Sequence, residues 1–296
     1  EGVLAVIDYH RAYKTAYEMQ CLREASRRAA VGHDAARRAF LDGGSELDIH
    51  LAYLAATRTA DEELPYRSII ALNENAATLH HMVRQKEPPE RARSFLIDAG
   101  MSERGYAADI SRTHVFDHQS AEAFSALVRD MDDGQQHLVA EISTCGSFPA
   151  LHESAHRLVA ELLVRHGLVH CGLEEAMASG VSQVFFPHGL GHLLGIQVHD
   201  RGGHLASTDG TVQPPPDHYP HLRFTRELQT GMVFTVEPGL YFIPPLIAGF
   251  DKQSLLNHRL IDELTPYGGI RIEDNVVIHD RGVENFTRDA FAALAN

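Results

Sequence analysis

The predicted elements of this 296-residue chain occur in the same order twice, and this repetition limits the fold more than any other feature. Each half contains two helices, a strand region with histidine, a strand that ends in an acid followed closely by glycine, and a strand with another acid. The segment LIDAG in the first half corresponds to TVEPG in the second, and AADIS corresponds to RIEDN. The copies are too different to prove a duplication. They nevertheless predict one α/β (α+β) unit whose two halves meet at a shared site.

Two pairs of helices precede the two strand regions. Residues 13–40 are rich in helix-forming side chains and are followed by the sequence LDGG, which is typical of a helix end. Ser45 begins a second helix, with Asp48 at the last position of a capping box. Residues 120–142 and 149–166 form the second predicted pair.

Two long inserts interrupt the second half. Residues 200–231 are rich in glycine and proline, and residues 242–269 separate the last two predicted strands. Long segments of this kind are commonly functional loops. We therefore expect both inserts to form surface loops or the rim of a cleft.

Composition excludes several classes of partner. The formal net charge is −14, from 26 basic and 40 acidic side chains, so we expect neither nucleic acid nor an anionic membrane as a partner. The cysteines Cys21, Cys145 and Cys171 are too scattered for a disulfide framework, which favours the cytoplasm. No apolar run approaches the roughly 20 residues that a membrane span requires.

Asp98 and Asp109 lie on either side of a predicted hairpin turn. If the hairpin is symmetric about Glu103 and Arg104, the two acids are direct cross-strand partners, with Cβ atoms about 5 Å apart. Two carboxylates at this distance repel each other unless a positive charge lies between them. The alternative is that one of the two acids caps the turn or faces water.

Two more acids lie near strand ends in the second half. Glu237 follows the apolar strand 232–236 and precedes a Pro-Gly pair, which ends the strand and leaves the carboxylate at its mouth. Arg271 and Glu273 share one face of the next strand, because side chains alternate along a strand with a period of two. The alternative is that both belong to the exposed polar face of an edge strand.

Histidines add nitrogen to this oxygen-rich set. The stretch FFPHGLGHLLGIQVHD contains His188, His192 and His199, and residue type alone does not decide which of them is a ligand. Carboxylates with one imidazole suit Mn²⁺, Mg²⁺ or Co²⁺ better than a metal that prefers thiolates. Two such ions about 3.5–4 Å apart would activate water near neutral pH.

A second histidine motif carries less weight. His152 and His156 belong to a sequence HESAH, which matches the H-E-x-x-H pattern of zinc proteases. The match lies at the start of a predicted helix, and no third ligand stands out downstream. We interpret it as a solvated helix face.

Together, LIDAG, GYAADISRT, HGLGHLLGIQVHD, TVEPGLY and GGIRIEDN resemble the pita-bread metallopeptidases over nearly the whole chain. The wide gap between Glu237 and Glu273 is similar to that of the bacterial proline dipeptidases in this group. The resemblance implies a pita-bread fold of two pseudo-symmetric halves, with a central antiparallel sheet flanked by helices. It also implies five metal ligands, namely Asp98, Asp109, His192, Glu237 and Glu273.

The resemblance implies hydrolysis of Xaa-Pro dipeptides with two divalent ions, Mn²⁺ being favoured over Co²⁺ or Zn²⁺. Asp98 would bind one ion, His192 and Glu237 the other, and Asp109 and Glu273 both. The alternatives are an aminopeptidase P-like Xaa-Pro exopeptidase and a peptide-binding module without catalysis.

Catalytic and substrate-binding roles also follow from the resemblance. Glu237 would act as the general base, His80 would contact the scissile amide, and His199 would stabilise the oxyanion. Four residues would bind the substrate, with Arg271 and His188 at its terminal carboxylate and Tyr66 near its first residue. The substrate-binding residues are Tyr66, His188, His199 and Arg271.

The domain organisation implied by the resemblance is a single catalytic domain at residues 1–296. We expect the N-terminal domain that such dipeptidases carry to be absent from residues 1–296. We expect the full-length protein to be a homodimer.

Overall fold

The computed structural model describes residues 2–117 and 121–295. The helices are α1 (Gly2–His10), α2 (Ala16–Leu41), α3 (Glu46–Thr57), α4 (Glu122–Cys145), α5 (Phe148–Arg165), α6 (Leu173–Ser179), α7 (Val181–Phe185), α8 (Pro244–Ala248), α9 (His258–Leu264) and α10 (Phe286–Leu294). The strands are β1 (Ile69–Leu72), β2 (Ser94–Asp98), β3 (Ser102–Glu103), β4 (Tyr106–Ala107), β5 (Ser111–Val115), β6 (Val233–Val236), β7 (Gly239–Tyr241), β8 (Gly269–Arg271), β9 (Asp274–His279) and β10 (Gly282–Asn285).

Local capping fixes the starts of the first long helices. Thr15 caps α2 and Ser45 caps α3, each in a capping box with the acid three residues later. The helix predicted from residue 45 is therefore confirmed. The helix predicted over 13–40 begins later than expected, because the Thr15 cap separates α2 from the short preceding helix α1.

Two three-stranded antiparallel sheets form the centre of the fold. β2 lies between β1 and β5, and β9 lies between β6 and β10. An isolated antiparallel bridge between Ser111 and Glu273 joins the two sheets. Helix α2 packs against both α3 and α10, α3 lies beside β1 of the first sheet, α10 lies beside β9 of the second sheet, and α4 packs against α5.

The two halves correspond as the repeat predicted. β2 pairs with β5 in the first half, and β6 pairs with β9 in the second. One acid of each half lies at the end of the first strand of its pair, and the other lies one or two residues before the second strand. The bridge between the sheets therefore brings all four strand ends together.

The predicted register of the first hairpin is wrong by two residues. Asp98 faces Ser111 across the ladder, and Asp109 precedes β5 rather than pairing with Asp98. The reason is the turn, which centres on Arg104 and Gly105, both with positive φ (51° and 86°). A turn with two such residues matches the twist of the flanking strands, and glycine is favoured at its second position.

The two inserts differ from each other. Residues 200–231 contain no helix or strand and line the cleft, as expected. Residues 242–269 hold the short helices α8 and α9 and contribute no lining residue to the cleft, so the expectation of a loop or rim was wrong there. Among the residues that the structure describes, no helix combines the length and apolarity needed to cross a bilayer.

Candidate metal centre

The four predicted acidic ligands lie at neighbouring strand ends. Asp98 is the last residue of β2, and Asp109 lies two residues before β5. Glu237 directly follows β6, and Glu273 directly precedes β9. The four carboxylates therefore lie close together where the two sheets meet.

His192 reaches the same place from outside the sheets. Its segment lies against β6, with the Thr235 N–H donating to the His192 carbonyl at 2.9 Å and the Thr235 hydroxyl accepting from the His192 N–H at 3.1 Å. A close backbone approach makes this contact, because a Cβ on Gly191 would lie 2.1 Å from the Thr235 carbonyl oxygen. Glycine is therefore required immediately before this histidine.

The hydrogen bonds of His192 leave one ring nitrogen free for a metal. Its Nδ1–H donates to the Leu193 carbonyl at 3.0 Å, which places the proton on Nδ1. Nε2 then faces Asp109 Oδ2 at 3.4 Å and Glu237 Oε1 at 3.7 Å. Among the three histidines of the stretch, His192 thus has the geometry expected of a ligand.

Ligand atoms of the five residues form overlapping groups in which all atoms lie within 4.8 Å of one another. One group joins Asp98, Asp109 and Glu273, and another joins His192, Glu237 and Glu273. A third group joins Asp109 and His192 to His199. Two oxygen ligands on opposite sides of one ion, each about 2.1 Å from it, lie about 4.2 Å apart, so the spacing within these groups is close to the spacing that an ion requires. The donor set therefore fits two neighbouring cations, with Glu273 within reach of both.

The electrostatics of the site also favour the binding of cations. Burial raises the pKa of Glu237 to about 7 and that of Asp98 to about 6. Burial and the charges of Asp109 and Glu237 raise the pKa of Glu273 well above its ordinary value. Closely spaced buried carboxylates of this kind are typical of a site that binds cations.

Neighbouring side chains orient two of the acids. The Tyr66 hydroxyl donates to Asp98 Oδ1 at 2.7 Å, and the Ser111 hydroxyl donates to Glu273 Oε2 at 2.7 Å. Tyr66 therefore lies behind an acid rather than among the residues that line the cleft. Its predicted contact with the first residue of a substrate stays a prediction.

Arg271 is buried beside the acids, so it does not belong to an exposed edge-strand face. Its Nη2 donates to Asp98 Oδ2 at 2.7 Å, its Nη1 to the Tyr241 hydroxyl at 3.0 Å, and its Nε to the Ser111 hydroxyl at 2.9 Å. A guanidinium has five N–H groups. One N–H on each terminal nitrogen thus remains for a further acceptor.

His188 lies at the same end of the cleft, and both of its ring nitrogens are engaged. Nδ1–H donates to the Gly189 carbonyl at 2.8 Å, and Nε2 accepts from the Tyr241 hydroxyl at 2.9 Å. Burial and the charge of Arg271 lower the pKa of His188 to about 3, so the ring is neutral at pH 7. Tyr241 thereby links His188 to Arg271.

His80 and His199 have exposed side chains and line the cleft. The ring centroid of His199 lies 4.4 Å from that of His192, with the two planes at 84°. The cleft has a volume of about 510 Å³, which is enough for a small peptide. It contains every predicted site residue except Tyr66.

The H-E-x-x-H motif is neither a solvated helix face nor the site of a zinc protease. His152 and His156 are each 2% exposed and pack against Phe186 and Tyr219. Glu153, which would have to act as the base, is exposed on the other side of α5. The interpretation from sequence was therefore wrong about burial, because it gave too little weight to apolar partners distant along the chain.

Three supporting residues were missed by sequence reasoning. Ser111 and Thr235 contact site residues through their hydroxyls, and Tyr241 joins His188 to Arg271. Ser111 and Thr235 lie inside strands, where a hydroxyl residue is ordinary, so they carry no signal of their own. Tyr241 lies two residues after a Pro-Gly pair and could have been noticed as a polar group near a strand mouth.

Fold and site together define a pita-bread protein with a carboxylate-rich centre for divalent cations. The model of metallopeptidase family M24 matches residues 20–280. The chain belongs to metallopeptidase family M24.

Particular relatives and solved structures agree with this assignment. The chain is 50% identical over 293 residues to the Xaa-Pro dipeptidase of Yersinia pestis (strain Pestoides F), covering 98% of this chain and 66% of the relative. The structure is similar to proline aminopeptidase P II from Yersinia pestis, with a TM-score of 0.74, 29% identity, and 98% and 62% of the two chains covered. A variant of Escherichia coli aminopeptidase P gives a TM-score of 0.76 at 26% identity, with 98% and 61% covered.

The pita-bread fold expected from the sequence is thereby confirmed. The chain spans slightly less than two thirds of the length of the curated relatives it matches.

Proposed function

We propose that this protein hydrolyses Xaa-Pro dipeptides with two divalent metal ions. The observation that carries the proposal is the placement of Arg271 and His188 beside five potential metal ligands in one cleft. The 50% identity to an Xaa-Pro dipeptidase supports the same activity. The similar aminopeptidase P structures are less than 30% identical, so they support the alternative exopeptidase activity less strongly.

The five residues Asp98, Asp109, His192, Glu237 and Glu273 would hold the ions. When bound, two divalent ions supply charge that polarises the scissile carbonyl and lowers the pKa of water. Four carboxylates and one imidazole favour Mn²⁺, with Co²⁺ or Zn²⁺ as alternatives. Glu273 belongs to both ligand groups formed by the five residues, and Asp109 groups with Asp98 while its Oδ2 lies 3.4 Å from His192 Nε2, which supports a bridging role for both.

Glu237 is the proposed general base. Its Oε1 lies toward His192 Nε2 at 3.7 Å, and its Oε2 lies 3.8 Å from His188 Nδ1. Next to a bound cation this carboxylate is ionised at neutral pH. The Glu237 carboxylate can therefore accept a proton from the attacking water at one oxygen and pass this proton toward the nitrogen of the leaving proline.

Arg271 is the proposed binding site for the terminal carboxylate of the substrate. The N–H group left on each of its terminal nitrogens allows two parallel hydrogen bonds to one carboxylate. His188 has no free nitrogen while it bonds Gly189 and Tyr241, so its contact with a substrate requires one of these bonds to break. Binding of a carboxylate at this end would select dipeptides over longer peptides.

His80 and His199 are proposed to contact the reacting peptide. Both rings line the cleft and are exposed, so their N–H groups are available to a substrate. His199 lies beside His192, which supports a role as a donor to the developing oxyanion.

Two further proposals concern the setting of the protein. The cysteines Cys21, Cys145 and Cys171 are all free, which supports a reducing compartment and hence the cytoplasm. We retain the homodimer as a proposal for the full-length protein. Light scattering on the full-length protein would test it.

Comparison of dipeptide and tripeptide turnover tests the proposed function. With Mn²⁺ present, hydrolysis of Ala-Pro should exceed hydrolysis of Ala-Pro-Ala by at least tenfold in kcat/KM. The reverse order would favour the aminopeptidase P-like alternative. Binding of both peptides without hydrolysis of either would favour the peptide-binding module.

A further inference from the structure

Glu46 is a carboxylate in the first turn of α3 whose side chain has no exposed surface. Its Oε1 accepts from the Leu72 N–H at 3.0 Å and from Asn75 Nδ2 at 2.8 Å. Its Oε2 accepts from His81 Nε2 at 3.0 Å and from the Gln85 N–H at 2.9 Å. Burial of a carboxylate is unfavourable unless hydrogen bonds replace water, and here each oxygen accepts two.

All four donors belong to one stretch of chain, residues 72–85. This stretch leaves β1, forms the 3-10 turn Asn73–Ala77, and then continues without regular secondary structure. Glu46 holds its beginning through Leu72, its middle through His81 and its end through Gln85. The carboxylate thus fixes a segment that no helix or sheet ladder orders beyond residue 77.

The same segment carries one wall of the cleft. Leu79 and His80 line the cleft, and Leu79 also packs against the buried Tyr241 cluster. The ring of His80 is exposed, and no hydrogen bond to it is found within residues 2–117 and 121–295. The position of the His80 ring therefore depends on the His80 backbone. The hydrogen bond between Glu46 and His81 holds the residue that directly follows His80.

An amide of the same shape cannot replace this carboxylate. The backbone N–H groups of Leu72 and Gln85 can only donate, and each bonds a different oxygen of Glu46. Whichever way the amide of a glutamine is turned, its NH₂ group faces one of these two donors. One buried backbone donor then loses its acceptor, which is a costly state.

We propose that Glu46 is a positioning residue for the reaction, holding residues 72–85 so that His80 reaches the scissile peptide. This inference rests on the proposed function. It assigns no contact with substrate to Glu46 itself. Because a misplacement of about 1 Å can reduce a rate by about a hundredfold, Glu46→Gln should lower kcat/KM for Ala-Pro by about tenfold to a hundredfold.

A double-mutant cycle with His80→Ala tests the proposal in the Mn²⁺-loaded protein. In the His80→Ala background, Glu46→Gln should change kcat/KM by less than threefold, because the residue that it positions is gone. The metal content of Glu46→Gln should equal that of the wild type, since Glu46 bonds none of the ligands. A fall of the same factor in both backgrounds, or no fall in either, would overturn the proposal.

Asp48→Asn is the matched control on the same helix. Asp48 accepts from the Ser45 N–H at 3.0 Å and the Ser45 hydroxyl at 2.6 Å and bonds no residue of the 72–85 segment. The Asp48→Asn substitution should lower the melting temperature without lowering kcat/KM. Should Glu46→Gln fail to fold, His81→Ala removes one of the four contacts and should show the same dependence on His80.

The wild type in this cycle separates the two proposals. If the wild type hydrolyses Ala-Pro and Glu46→Gln is equally active, only the positioning role is overturned. A Mn²⁺-loaded wild type without Ala-Pro hydrolysis overturns the proposed function, and the positioning role with it.

Discussion

Replacement of Arg271 by lysine should selectively impair the turnover of substrates with a free terminal carboxylate. The two N–H groups of Arg271 that remain free lie on separate nitrogens, so they can bond both carboxylate oxygens at once. Lysine keeps the positive charge near Asp98 but presents it on one nitrogen. Loss of one charge-assisted hydrogen bond costs about 1.5–3 kcal/mol. At about 1.4 kcal/mol per decade, kcat/KM for Ala-Pro should fall about 10- to 150-fold.

Ala-Pro amide provides the comparison, because it has no carboxylate for Arg271 to bind. Steady-state kinetics on both substrates should show a small loss on the amide and a large loss on the dipeptide. Equal losses on the two substrates would refute a carboxylate-binding role. They would indicate instead that Arg271 acts through Asp98, to which its Nη2 donates.

Arg112→Lys is the matched control for the charge and the neighbourhood of Arg271. Arg112 donates to the carbonyls of Ser111 and Glu273 and to Asp274, but it does not line the cleft. Its replacement should lower the melting temperature while leaving the ratio of dipeptide to amide turnover unchanged. Metal content should be measured for every variant, since Arg271 contacts a proposed ligand.

Three other outcomes follow from the geometry of the site. Since burial raises the pKa of Glu237 to about 7, the ion-free fold holds a proton that the unfolded chain loses near its ordinary pKa of about 4.5. The protonated Glu237 therefore contributes its full stability below about pH 4.5, and this contribution is lost as pH rises through about 7. Because Mn²⁺ replaces that proton, it should raise the melting temperature more at pH 8 than at pH 6. Equal increases at the two pH values would contradict this prediction. Gly191→Ala should weaken Mn²⁺ binding in calorimetry at least tenfold, because its Cβ would lie 2.1 Å from the Thr235 carbonyl oxygen; unchanged binding would show that the segment can shift. His152→Phe should leave the metal content unchanged by elemental analysis, because His152 packs among aromatic rings away from the acids; loss of one ion would point to a second metal site.

Much of the architecture could be predicted because its signals are local. The capping box at Ser45 marked the start of α3, and the acid followed closely by glycine marked the ends of β2 and β6. The repeat predicted that the two halves meet at their acids, and the Ser111–Glu273 bridge makes this contact. These features depend on short stretches whose preferences agree with the final fold.

Other features depend on contacts between distant residues, which the sequence does not display. The hairpin register depended on a positive φ at Arg104, and an arginine in the sequence gives no sign of that conformation. The burial of His152 depended on Tyr219, 67 positions away, packing over it. The contacts of Glu46 span 26 to 39 positions, so nothing in its own neighbourhood distinguishes it from an ordinary helix N-terminal acid.

Titration of Mn²⁺ into the chelator-stripped protein, with Ala-Pro hydrolysis followed at each addition, tests the two-metal dipeptidase assignment most directly. The overlapping ligand groups predict no hydrolysis before Mn²⁺ is added and a plateau of activity at two ions per chain. Asp109→Asn should abolish that plateau, because Asp109 lies within reach of both proposed ions. Full activity of the stripped protein, or a plateau at one ion that Asp109→Asn leaves intact, would contradict the assignment.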